Sequence, residues 1–113
     1  MVEAATRLDR GDVVWISLDP TVGHEQRGRR PAVVVTVERH NRVTALALLC
    51  PITSRAKGYP FEVPLPDGLP VSGAVLCDHV KSLDWRGRDA ERITTLPDEV
   101  TALILATVRR LRD

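Results

Sequence analysis

The segment HEQRGRRP, residues 24–31, puts Glu25, Arg27, Arg29 and Arg30 into one short connection between two apolar runs, DVVWISL and AVVVTV. Turn formation needs none of these charges, so they point to chemistry. Arg30 precedes Pro31, which drives it toward extended backbone and fixes where its side chain leaves the chain. Pro31 opens a strand, where a missing donor does least harm. An arginine fork held this way can grip a phosphate with two parallel hydrogen bonds. Taken alone, a surface ion pair between Glu25 and one arginine accounts for the same residues. A second polar loop, ITSRAKGYPF at 52–61, offers Thr53, Ser54, Arg55, Lys57 and Tyr59. Hydroxyls donate to phosphate oxygens, cations neutralise them, and aromatic faces stack bases. The default place for Tyr59-Pro60-Phe61 is packing at a strand entry, and for Trp15 and Trp85 it is in or beside the core.

The elements that must position these groups come from a chain of 113 residues with 43% hydrophobic and 27% charged content. Those values fit one soluble globular domain, 1–113, with a single core and no staples. The net charge of +1 excludes a uniformly basic nucleic-acid binder, so any RNA site has to gather its cations on one face. The N-terminal MVEAATRLDRGD lacks the apolar core of a signal peptide. The longest apolar run, ALALLCPI at 45–52, falls well short of the about 20 residues a membrane span needs. A cytoplasmic protein without membrane association is expected. Cys50 and Cys77 lie in apolar runs with no CxxC spacing and read as buried free thiols. His24, His40 and His79 are too scattered for a zinc site, and no metal or cofactor is expected.

Strand signals cover VVWISL (13–18), AVVVTVE (32–38), VTALALLCPI (43–52), FEVPL (61–65), GAVLCDHVKSL (73–83) and a short RITT (92–95). HNR at 40–42 reads as a tight turn that makes a hairpin of the second and third. From Pro97 the period changes: Val100, Leu103, Ile104, Thr107, Val108 and Leu111 share one helical face. Thr95 stands three residues before Asp98, as in a capping box. Arg109, Arg110 and Arg112 crowd the helix end, where cations oppose the dipole. The fold class is therefore mainly β with a C-terminal helix, a small, strongly curved antiparallel sheet or partial barrel. The connections at 19–31 and 53–60 are long and polar, which is where function resides on a small rigid sheet.

Three blocks, GDVVWISLDPTVGHEQRGRRPAVVV, PITSRAKGYPFEV and CDHVKSLDWRGR, carry a resemblance to the MazF/PemK family of toxin ribonucleases, in that family's order and spacing. The resemblance implies an SH3-like curved antiparallel barrel of the MazF/PemK/CcdB type that pairs as a homodimer. It implies metal-independent, sequence-specific cleavage of single-stranded RNA, leaving a 2′,3′-cyclic phosphate and a 5′-hydroxyl. It implies a MazE-like cognate antitoxin whose acidic tail neutralises the toxin. Carried over by position, the catalytic residues are Glu25, Arg30 and Thr53, and RNA contacts fall to Gln26, Arg29, Ser54, Lys57, His79 and Lys81. His79 stands where the family often has glutamine, which implies an altered base preference. His24 stands where a small polar residue is common, and reads as a solvated loop histidine.

The chemistry suits these types. Cleavage needs the ribose 2′-hydroxyl deprotonated, a role for Glu25 worth typically about 10²–10⁴ in rate. It needs charge on the phosphorane stabilised, a role for Arg30, with Thr53 donating to a non-bridging oxygen. A guanidinium stays charged to about pH 12, so it serves better as electrostatic stabiliser than as proton donor. A CcdB-like gyrase inhibitor shares this barrel but has no use for the EQxGxRP loop. A non-catalytic SH3-like RNA-binding module has no use for the intact Glu25, Arg30 and Thr53.

Overall fold

The computed structural model describes residues 4–18 and 29–111. The element order is β1 (Asp12–Ser17), β2 (Arg29–Val34), α1 (Glu38–Thr44), β3 (Ala47–Thr53), β4 (Glu62–Pro64), β5 (Ala74–Leu76), a 3-10 turn (Cys77–His79), β6 (Lys81–Leu83), β7 (Glu91–Thr95) and α2 (Asp98–Arg110). The strands make one seven-stranded antiparallel sheet, ordered β4-β5-β3-β2-β1-β7, with β6 also paired to β3. The two ends of that order do not pair, so the curved, barrel-like sheet remains open.

Alternation along the strands builds a core on each face of the sheet. Val14, Ile16, Ala32, Val34, Ala47 and Leu49 pack on one face with Leu8, Leu83 and Trp85. Val13, Val33, Cys50, Ile52, Val63 and Val75 pack on the other, under Leu96 and Ile104 of the C-terminal segment. Cys50 and Cys77 are both buried and free, as expected. Burial of Trp85 agrees with its default place, whereas Trp15, between Pro31 and Glu91 on the neighbouring strands, is 38% exposed.

Four local expectations give way. HNR is not a turn: it lies inside α1, so β2 and β3 are joined through a helix and β3 begins at Ala47 rather than Val43. The helix is anchored to its surroundings by its own Asn41, which is fully buried. Its amide donates to the carbonyls of Leu8 (2.9 Å) and Thr36 (3.0 Å), its Oδ1 accepts from Thr36 Oγ1 (2.6 Å), and its carbonyl accepts from Trp85 Nε1 (3.1 Å). Tertiary hydrogen bonding thus overrides the β-propensity of Val43 and Thr44. Residues 73–83 are not one strand, because the 3-10 turn breaks them into β5 and β6, which pair successively along the same strand, β3. Thr95 does not cap α2: its hydroxyl donates to Asp12 Oδ1 (2.9 Å), and the cap position is Pro97, which has no side-chain donor or acceptor. On α2, Ile104 and Thr107 are buried as the period requires, but Leu103 is 52% exposed.

Candidate active site

Glu25, Gln26 and His24 lie outside the described residues. The remaining candidates distribute over β2, β3, the β3–β4 loop and the β5–β6 segment.

Arg30 and Arg29 open β2, paired with Ile16 and Ser17 of β1. Neighbours in a strand point to opposite faces, and these two differ accordingly. Arg29 is engaged: it pairs with Glu91 and donates to the carbonyls of Asp89 (3.1 Å) and Trp15 (3.4 Å). Arg30 is exposed, and among the described residues its guanidinium has no hydrogen-bond or ion-pair partner. The β2–β3 ladder pairs Ala32 with Pro51. Continued two residues past that last bonded pair, the register sets Arg30 across from Thr53 on the same face.

Thr53 ends β3, half-buried, opposite Ala74 of β5. Its hydroxyl oxygen accepts the Arg55 amide (3.1 Å), leaving its own proton for another acceptor. Gly73 secures that end of the strand. It sits at φ +117°, and a Cβ there would lie 1.9 Å from the Thr53 carbonyl oxygen. Only glycine permits both the dihedral and the approach.

Ser54 and Lys57 lie exposed in the loop that follows. Lys81 is exposed on β6, opposite Leu49, and so shares the Thr53 face about 13 Å further along β3. His79 is exposed in the 3-10 turn, its Nε2 3.9 Å from Asp78 Oδ1. Arg30, Thr53 and Lys81 thus share the face opposite the one α2 covers, with the loop cations beyond the strand end. Such an array of hydroxyl and cationic groups suits an extended polyanion.

Three groups that sequence reasoning passed over hold the array in place: Glu91, Gly73 and Glu62, which accepts the amides of both Lys57 and Gly58 (2.9 Å each). The acid in FEV and the glycine in VSGAV were visible, but the groups they meet are distant in sequence or on the backbone. Tyr59 departs from expectation, since it is 60% exposed rather than packed at the strand entry.

The Cys50 and Cys77 sulfurs meet between β3 and the 3-10 turn. The contact with Cys77, then burial, pushes the Cys50 thiol far up, while the same contact pulls Cys77 down. Among the described residues no group of three or more His, Cys, Asp or Glu side chains is arranged to hold a metal. No helix among them is long and apolar enough to cross a membrane.

A small open curved sheet with one C-terminal helix, carrying a cation-and-hydroxyl face at its strand ends, is the frame of a known class. Residues 9–111 match the family model described as the PemK-like, MazF-like toxin of type II toxin-antitoxin systems, and the chain belongs to that family. It is similar to the endoribonuclease toxin MazF of Escherichia coli K12, 45% identical over 103 residues, covering 91% of this chain and 92% of that one. It is similar to the endoribonuclease PemK of Escherichia coli, 36% identical over 109 residues, covering 93% and 82%. In structure it resembles MazF from Deinococcus radiodurans, with a TM-score of 0.86 at 50% identity over 96% of this chain and 98% of that one. The MazE-MazF structure from the same organism matches at a TM-score of 0.83 and 45% identity, covering 96% and 97%.

Proposed function

We propose that this protein is the toxin of a type II toxin–antitoxin pair: a sequence-specific endoribonuclease that cuts single-stranded mRNA without a metal. The observation that carries the reading is Arg30, exposed and unpartnered among the described residues, set across from Thr53 by the β2–β3 register, in a chain whose relatives are named endoribonucleases. Glu25, seven residues after Leu18, accepts the proton of the ribose 2′-hydroxyl. The freed oxygen attacks the adjacent phosphorus, Arg30 stabilises the charge of the phosphorane, and Thr53 donates to a non-bridging oxygen. The P–O5′ bond breaks, water delivers a proton to the leaving oxygen, and the products are a 2′,3′-cyclic phosphate and a 5′-hydroxyl. Gln26, Ser54, Lys57, His79 and Lys81 contact the strand on either side of the cut. Arg29 fixes the strand end from which Arg30 leaves and adds its charge to the approach of RNA. The relation to MazE-MazF assemblies supports a cognate antitoxin; an acidic antitoxin tail, a homodimeric toxin and a cytoplasmic site of action complete the proposal.

The test is purified protein on a defined RNA pool in EDTA, with cut sites and end groups mapped together. Cleavage at a short consensus with cyclic-phosphate ends is expected, and it should stop when the single 2′-hydroxyl at the cut is replaced by hydrogen. Cutting of the deoxy substrate, or loss of activity in EDTA, would overturn the mechanism. A gyrase inhibitor or a bare RNA-binding module leaves the pool intact.

A further inference from the structure

We infer that Tyr59 is a base-stacking platform for a nucleotide flanking the cut, and that Glu62 is the positioning residue that holds it there. This rests on the endoribonuclease reading and extends it to base recognition.

Tyr59 is 60% exposed, and among the described residues its ring packs on no other ring and its hydroxyl has no partner. A ring this bare on an otherwise polar loop has no folding task to explain it. The backbone beneath it is nonetheless fixed. One carboxylate oxygen of Glu62 collects the amides of Lys57 and Gly58 at 2.9 Å each, and the Glu62 amide donates to the Tyr59 carbonyl at 3.0 Å. Gly58, at φ +78°, takes the left-handed conformation that lets successive amides converge on one oxygen. Phe61 is tied in turn, its carbonyl accepting the Cys77 amide at 3.0 Å.

The register places this anchor toward the substrate. Glu62 pairs with Leu76, and β5 pairs Val75 with Ile52 and Ala74 with Thr53. Pairs directly opposite share a face, so the Glu62 side chain rises on the face that carries Thr53 and Arg30. Two inter-strand spacings, about 10 Å, separate Glu62 from Thr53 across the sheet, with an offset of two residues, about 7 Å along. A strand of RNA whose phosphate lies at Arg30 and Thr53 therefore passes the Tyr59 ring a short way along its path. The ring face takes any base, while its fixed position selects which nucleotide of the site stacks.

The experiment uses the full chain and an RNA of the mapped site with the cut-site ribose 2′-deoxy and 2-aminopurine at each flanking position in turn. Wild-type protein should quench 2-aminopurine at one position; Tyr59→Ala should abolish that quenching and raise KM roughly 5- to 150-fold, with kcat and the melting temperature kept. Tyr59→Phe should match the wild type, because the face and not the hydroxyl is used. Glu62→Ala should resemble Tyr59→Ala, and Glu62→Gln, which keeps an acceptor, should recover most of the loss. Unchanged KM and quenching in Tyr59→Ala, or equal impairment of Tyr59→Phe and Tyr59→Ala, would overturn the inference while wild-type cleavage of unmodified RNA persists. Absence of wild-type cleavage overturns the endoribonuclease reading itself, and this inference with it.

Discussion

Arg29 and Arg30 are chemically identical neighbours in different surroundings, and the proposed function gives them different tasks, which replacing each with alanine should separate. Arg30→Ala removes an exposed side chain that has no partner among the described residues. Such a change lies within about 0.5 kcal/mol, so the melting temperature should move by no more than about 4 °C. Its effect on cleavage is large: removing a donor aimed at developing oxyanion charge lowers kcat by about 10²–10³. Arg29→Ala removes the Glu91 pair and two carbonyl hydrogen bonds, at a site where the two charged side chains are 22% and 35% exposed. Discounting for that exposure leaves about 1–2 kcal/mol, equivalent to roughly 5–15 °C for a domain of this size. A double-mutant cycle with Glu91→Ala should return a coupling of about 0.5–1 kcal/mol. The assays are thermal melting by circular dichroism and single-turnover cleavage in EDTA. Near wild-type cleavage by Arg30→Ala, or an unshifted melt for Arg29→Ala, would refute the division of labour.

Gly73→Ala forces a left-handed dihedral and a Cβ against the Thr53 carbonyl, so a loss of at least about 2 kcal/mol is expected. Residual folded protein should cut poorly because Thr53 must move, and denaturant midpoints with cleavage rates check both. The buried thiols predict a pH effect. Cys50 is raised in the folded state, whereas unfolded cysteine ionises near about pH 8.5. The Cys50 contribution is therefore full below that pH and declines above it, by up to about 1.4 kcal/mol per pH unit. Urea midpoints at neutral and alkaline pH should show this slope reduced in Cys50→Val, and identical slopes would exclude the thiols as its cause.

The strands that carry the site were legible because their period is local. Val13, Val14 and Ile16, and Ala32 to Val35, divide between the two cores along each strand, and Pro31 marked the strand opening from which Arg30 leaves. The helix α1 was not legible, because its anchor, Asn41, finds partners in Leu8 and Trp85, remote in sequence. Its one local signal was the Glu38–Arg42 pair at helical spacing, 3.2 Å apart, overshadowed by Val43 and Thr44. The break between β5 and β6 hid for a different reason: Val75 and Cys77 remain on one face through the 3-10 turn, so the alternation continues where the strand does not. Of the site, the groups whose types suit RNA chemistry were readable, and those that hold them, Glu62, Gly73 and Glu91, were not. Supporting groups act on backbone atoms or across strands, and neither relation leaves a pattern in the order of residues.

The pairing of a catalytic candidate with a structural twin follows from the geometry of a strand. With a side-chain period of two, a slip of one residue in β2 would exchange the faces of Arg29 and Arg30 and turn the wrong guanidinium toward Thr53. Register at this strand end is weakly specified by hydrophobicity, because Arg29, Arg30 and Pro31 lie before the buried run that starts at Ala32. Arg29 supplies the missing specification. Its link to Glu91 spans Trp15, which pairs with Pro31 on one side and Glu91 on the other, so β7, β1 and β2 are fixed to one another at the strand end. An arginine bound on one face therefore sets the aim of the exposed arginine on the other, which is why the loop carries more cations than a phosphate alone requires.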